Sequence, residues 1–131
     1  MMGTDLYKGN TTHYHSIGQN VMVTAKTYPI RNGYFGINSP STGNKTRRIY
    51  SPDNLETAKD FYGKIANGGK EEILNDGTLR ITHMHDGTDI TFRIISHSDG
   101  TPVVDINILR SRSTGGVRNQ KIHFMKGEER K

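Results

Sequence analysis

The sequence predicts an α+β fold, with one main helix packed on a twisted antiparallel β-sheet of about four strands. A helical or irregular N-terminal part precedes this unit. Three observations predict it. Residues 88–95, 103–108 and 120–125 alternate apolar and polar side chains, the period of a half-buried strand. Asp86-Gly87 is a turn signal that joins a further strand at 79–82 to the first of these. Leu55, Ala58, Phe61 or Tyr62, and Ile65 recur at three- and four-residue steps, the spacing of one helix face.

A chain of 131 residues favours a single domain, 1–131, with one core. Hydrophobic residues make up 31% of it, so that core must be economical, and fifteen glycines point to many turns. No apolar run reaches the roughly 18 residues of a membrane span. Met1-Met2-Gly3-Thr4-Asp5 lacks a charged and then apolar leader, so no signal peptide is expected. The absence of cysteine excludes disulfides and thiolate metal sites. Net charge is +5. The excess is local: Arg110, Arg112, Arg118 and Lys121 fall in a stretch without acids, and Asn44-Lys45-Thr46-Arg47-Arg48 forms a second basic cluster. Basic patches favour polyanions, usually nucleic acid, although they also serve as plain solvated surface.

In chain order, residues 1–12 read as a poorly ordered end. His13-Tyr14-His15 would present both rings on one side of a strand, but no neighbouring Asp, Glu or Cys completes a metal site, so no metal is expected. Residues 17–50 read as irregular, with one or two short helices or strands and a turn at Arg31-Asn32-Gly33. Tyr28, Tyr34 and Phe35 either fill core or stack on bases. The main helix is expected over 52–67, with Ser51 as N-cap, Pro52 in the first helical position and Gly68-Gly69 as the stop. Glu56, Lys59, Asp60 and Lys64 would form its solvated side.

If Asp86 and Gly87 alone make the hairpin turn, Thr82 opposes Thr91, Ile81 opposes Phe92, and Leu79 opposes Ile94. Arg80 then opposes Arg93 on the polar face, either with an anion between them or splayed into solvent. His83 falls on the apolar side and His85 beside the turn. Gly100 and Pro102 mark the turn into the third strand, where His97, Ser98 and Thr101 reach a ligand or bond nearby backbone. Residues 110–120 read as a long basic loop suited to closing over a phosphate chain, and 127–131 as a frayed tail.

In the strand 120–125, Ile122 and Phe124 point to one face, and Lys121 and His123 to the other. The strands before it add Thr91, Arg93, Asp105 and Asn107 to that second, polar face. RNA carries its own nucleophile, the 2′-hydroxyl. Metal-free cleavage therefore needs a base, an acid and a cation beside the phosphate. Imidazole changes charge near neutrality, which makes His123 the candidate acid or base. Arg93 and Lys121 are candidate phosphate-stabilising cations, and Thr91 and Thr101 candidate donors to phosphate. Asp105 could orient His123, act as the base, or neutralise Arg93 in a structural pair. The catalytic set is thus His123, Lys121, Arg93, Asp105 and Thr101. Arg80, Thr91, Asn107, Arg110, Arg112, Arg118 and His97 are expected to bind RNA. A non-catalytic RNA-binding module is the alternative. A second functional histidine would come from His13, His15, His83, His85 or His97.

Several segments occur in a telling order. They are Thr57-Ala58-Lys59-Asp60-Phe61-Tyr62 before Gly68-Gly69, Asp86-Gly87-Thr88 leading to Phe92-Arg93, Ser98-Asp99-Gly100-Thr101-Pro102-Val103-Val104-Asp105-Ile106-Asn107, and Gln120-Lys121-Ile122-His123-Phe124. In this, residues 51–125 resemble toxin nucleases of the barnase–EndoU–colicin–RelE-like superfamily. They resemble more closely the C-terminal toxin domains of bacterial polymorphic and contact-dependent inhibition systems. Asp99, Pro102 and Asp105 lie where some transfer-RNA-cleaving toxins carry a Ser/Thr-x-x-Pro-x-x-Asp pattern. The resemblance implies a helix-plus-antiparallel-sheet fold and metal-independent RNA cleavage to a 2′,3′-cyclic phosphate, with no cofactor. It further implies a cognate immunity protein, a monomeric domain, and delivery as the tail of a larger secreted protein that acts in the target-cell cytoplasm. Members similar to EndoU use two histidines and a lysine, which His123 and Lys121 could match.

Overall fold

The computed structural model describes residues 17–39, 43–95, 100–108 and 116–127. The fold is α+β, with helices α1 (Ile17–Thr24) and α2 (Asn54–Ile65). The strands are β1 (Ile30–Arg31), β2 (Tyr34–Phe35), β3 (Ile37–Ser39), β4 (Gly43–Ser51), β5 (Lys70–Leu74), β6 (Leu79–His83), β7 (Asp89–Arg93), β8 (Val103–Asn107) and β9 (Gln120–Lys126). β1 and β2 form a separate ribbon, and the others make one seven-stranded sheet in the order β3-β4-β9-β8-β7-β6-β5. Every neighbouring pair is antiparallel except β4 and β9, which run parallel. No helix of the described residues is long and apolar enough to cross a membrane.

The expected α+β class holds, but the sheet has seven strands rather than about four. The N-terminal part, expected to be helical or irregular with one or two short helices or strands, supplies α1, the ribbon and two strands of the main sheet. β4 pairs with β9 inside the sheet even though its sequence is mostly polar and basic.

α2 forms where its apolar stripe predicts. Ala58, Phe61, Tyr62 and Ile65 are buried, and the exposed side carries Glu56, Lys59 and Asp60. Its start lies two residues later than expected. Ser51 still belongs to β4, and Asp53 is the N-cap, accepting a hydrogen bond from the Glu56 amide at 3.3 Å. Phe61 is fully buried and meets Tyr28, Phe35 and Phe124 at centroid distances of 5.2, 5.0 and 5.5 Å. Tyr62 lies on Phe92 at 5.2 Å. The helix thus covers the sheet face that carries Ile90, Phe92, Val104, Ile106, Ile122 and Phe124. α1 packs beside it, with Asn20 Nδ2 donating to the carbonyls of Ile65 and Asn67 at 2.8 Å each.

The β6–β7 register differs by one residue from the expectation. The Met84 amide donates to the Thr88 carbonyl at 2.8 Å, and the Gly87 amide to the Met84 carbonyl at 3.1 Å. The loop is therefore three residues, His85 to Gly87, with Gly87 at φ +92. Adding one residue to a two-residue turn slips the ladder and turns β6 over. Thr82 opposes Ile90, Ile81 opposes Thr91, Arg80 opposes Phe92, and Leu79 opposes Arg93. Arg80 consequently faces the helix side, where its charge acts on Tyr62, and not Arg93 on the polar face. His83 moves to the open face and not the apolar one.

The C-terminal end of the basic loop is pinned to the rest of the fold. Val117 is buried, and the Arg118 amide donates to the Gly33 carbonyl at 3.0 Å. Asn32 (φ 54) and Gly33 (φ 86) form the tight β1–β2 turn that their sequence signals. A Cβ on Gly33 would lie 2.4 Å from the Gly116 carbonyl oxygen, so only glycine allows this approach. Gln120 locks the junction: Oε1 accepts from the Phe35 amide at 2.9 Å, and Nε2 donates to the carbonyls of Gly33 and Arg118 at 2.9 and 2.7 Å.

Candidate functional site

α1 and α2 lie on one side of the main sheet, and the strand registers fix what shares the opposite side, here called the open face because neither of these helices covers it. Across one row run Leu79, Arg93, Val103, His123 and Arg48. The next row holds Ile81, Thr91, Asp105, Lys121 and Thr46. A third holds His83, Asp89 and Asn107. Neighbouring positions in a row are about 5 Å apart, and diagonal ones somewhat farther. His123 is therefore flanked by Arg48 across the parallel pair and by Lys121 along its own strand, with Asp105 on the diagonal. Arg93 is two strands away.

His123 is 8% exposed and is set into this face, opposite the oily side of β9. Thr101 Oγ1 and His123 Nδ1 are hydrogen-bonded at 3.1 Å. That bond makes Thr101 a positioning residue for the ring, a role the sequence reading offered to Asp105. Among the described residues no ion pair within 4 Å joins Asp105 to Arg93 or Lys121, although the charges of both act on it. Burial raises the pKa of Asp105 above the usual carboxylate value, and the positive charges of Lys121 and Arg93 offset that only in part.

The raised pKa carries a stability consequence. The carboxyl's favourable contribution is full below its unfolded value of 3.8 and is lost as pH rises through the higher folded value. Above that window the ionised group opposes folding. Asp105→Asn is therefore expected to melt at a higher temperature than the parent near neutral pH. The advantage should vanish below pH 3.8. Melting curves of both proteins across that range check it, and a lower Tm for the variant near neutrality would contradict the assignment.

The remaining candidates divide. Thr91 is beside Asp105, and Asn107 is exposed farther along the same strand. Arg118 is exposed but lies beyond the start of β9, five residues from His123 and beside the β1–β2 turn. Arg80 lies on the wrong face. Arg110, Arg112, His97, His13 and His15 lie outside the described residues. His85 is exposed on the hairpin loop. His83 is three strands from His123 in the sheet order. Its Nδ1 bonds Asp89 at 2.7 Å and its Nε2 bonds Glu72 at 2.9 Å. Asp89 first, and then Glu72, hold its pKa above the ordinary histidine value against a lowering by partial burial. It clips β5, β6 and β7 together. Neither His83 nor His85 stands beside His123 in the sheet. Among the described residues no three His, Asp or Glu side chains converge to hold a metal ion.

Sequence reasoning missed Arg48 because β4 was missed. The signal was present: Thr46, Arg48 and Tyr50 alternate with Arg47 and Ile49. Arg47 faces the helix side and is buried, its Nε donating to the Phe35 carbonyl and Nη2 to the Gly36 carbonyl at 2.9 Å each. Nη1 donates to the Asn38 side chain. The basic cluster thus splits into a structural arginine and one that joins the open face.

Comparison of the chain with protein-family models, with curated proteins and with solved structures finds no match.

Proposed function

We propose that the open face is the catalytic surface of a metal-independent endoribonuclease, with transfer RNA among its candidate substrates. The observation that supports this is the register that brings His123, Asp105, Lys121 and Arg48 to adjacent positions on the sheet face opposite α1 and α2. In this reading the RNA 2′-hydroxyl attacks the adjacent phosphorus and gives its proton to the Asp105 carboxylate. The bond from phosphorus to the 5′-oxygen breaks, and protonated His123 supplies the proton to that leaving oxygen. A carboxylate whose pKa is raised by burial is the stronger base. Arg48 and Lys121 balance charge on the equatorial oxygens, and Arg93 binds the chain farther along. The sequence resemblance extends the proposal to a toxin domain, delivered as part of a larger protein and neutralised by an immunity protein.

Incubation with total RNA in the presence of EDTA tests it. The expected products carry 2′,3′-cyclic phosphate and 5′-hydroxyl ends. Products with 3′-hydroxyl ends, loss of cleavage on adding EDTA, or intact RNA would each overturn it.

One observation favours a second reading. His123 is nearly buried and bonded to Thr101, as a purely structural histidine would be. A non-catalytic RNA-binding module would use the same cations, and in the same assay it would retain RNA on the protein without shortening it.

A further inference from the structure

Beside β4, where the edge strand β3 stops short, the chain forms a half-open pocket of about 720 Å³. Its walls come from the segment after α1, the β1–β2 ribbon, the start of β3 and β4. Such a volume suits a nucleotide-sized ligand. Among the described residues no carboxylate lines it, whereas Arg31, Arg47 and Arg48 do. Arg47 is committed to backbone carbonyls but still contributes its charge. Arg31 is exposed at the rim. Three tyrosines supply aromatic surface, each with a different status. Tyr28 is held edge-on to Phe61, with its hydroxyl on Asp60 at 2.6 Å. Tyr34 has one ring face covered by the Arg47 guanidinium at 4.9 Å. Tyr50 shares the open side with Arg48, whose Nη1 donates to its hydroxyl at 3.4 Å.

The pocket is therefore cationic and aromatic, with no acid among the described residues that line it, and it is joined to the open face through Arg48, the neighbour of His123. We infer that it is a nucleotide-binding subsite, in which a base stacks on tyrosine and the phosphate faces Arg48 and Arg31. Stacking tolerates any base because every base has a π-face, and the arginines select the phosphate. For its link to cleavage the inference rests on the ribonuclease reading: a chain with its scissile phosphate at His123 would place a flanking nucleotide here. Binding of a free nucleotide does not depend on cleavage.

The test titrates the full chain with AMP, GMP, CMP and UMP, and separately with inorganic phosphate, by calorimetry and amide NMR. At least one nucleotide is expected to bind about tenfold more tightly than phosphate. Its largest shifts should fall in 28–38 and 47–50. Tyr50→Leu should weaken that binding about tenfold, while Tyr50→Phe, which keeps the ring, stays within about twofold. Phosphate binding as tightly as every nucleotide, unchanged binding by Tyr50→Leu, or shifts confined to other segments would each overturn the inference. If Tyr50→Leu fails to fold, the shift map of the parent protein decides. Tyrosine-dependent nucleotide binding with intact RNA would sink the ribonuclease reading and leave the subsite standing. Cleavage with no nucleotide binding would do the reverse.

Discussion

His123→Ala is expected to lower RNA cleavage by about 10²- to 10⁴-fold, the usual contribution of one positioned proton donor or acceptor. The ring is 8% exposed, so removing it also opens a small void and deletes the hydrogen bond with Thr101. A loss of activity in the alanine variant alone could therefore reflect a shifted strand. His123→Gln separates the two effects. Glutamine is close to histidine in volume and can still bond Thr101, but it cannot take or give a proton at neutral pH. Both variants should lose activity to a similar extent, with the glutamine protein melting close to the parent. Thr101→Val should cost less, about tenfold, because it loosens the ring without removing it. Activity above about a tenth of the parent in folded His123→Gln would end the catalytic assignment.

What the sequence revealed of this arrangement depended on which strands have a two-sided pattern. β7, β8 and β9 each bury one face under α2, so selection for burial writes an apolar–polar alternation that can be read directly. The same pattern made α2 legible, since Phe61 and Tyr62 must meet Phe35, Phe92 and Phe124. β5 escaped because it is an edge strand, exposed at every position of Lys70-Glu71-Glu72-Ile73-Leu74, and charged residues on an edge discourage further pairing. β4 escaped for a different reason. The residue it buries beside Ile122 is Arg47, and a buried arginine paired to carbonyls is indistinguishable in sequence from a solvated one.

The candidate site inherited those limits. Lys121, His123 and Asp105 were placed together because their strands were legible. Arg48, the cation across the parallel pair from His123, lay on the strand that was missed. Arg80 was misplaced by a single residue of turn length. A two-residue and a three-residue loop around Asp86-Gly87 are both good hairpins, and the choice between them reverses every side chain of β6. Tertiary contacts accompany the longer loop: Asp86 Oδ2 receives the Ile17 amide at 2.9 Å, and the Thr82 hydroxyl is hydrogen-bonded to that of Tyr62.

Arg47→Ala and Arg48→Ala should therefore behave as opposites, although the two residues are adjacent and equally basic. Arg47 satisfies two buried or half-buried backbone carbonyls and the Asn38 side chain, and its guanidinium stacks on Tyr34. Each acceptor left without a partner costs about 1–3 kcal/mol, so the alanine variant should lose roughly 3 kcal/mol or more. On a chain of this size that lowers Tm by about 10 °C. Lysine at this position is expected to rescue little, because one ammonium cannot span acceptors that the planar fork reaches together. Arg48 lies on the open face, and its loss should move Tm by only about 2 °C. Cleavage should fall instead, by about 10- to 100-fold, as a phosphate-stabilising cation is removed. Thermal melts paired with cleavage rates for the two variants read this crossover directly. If Arg47→Ala melts with the parent, or Arg48→Ala cleaves like it, the division of the basic cluster into a structural and a functional half is wrong.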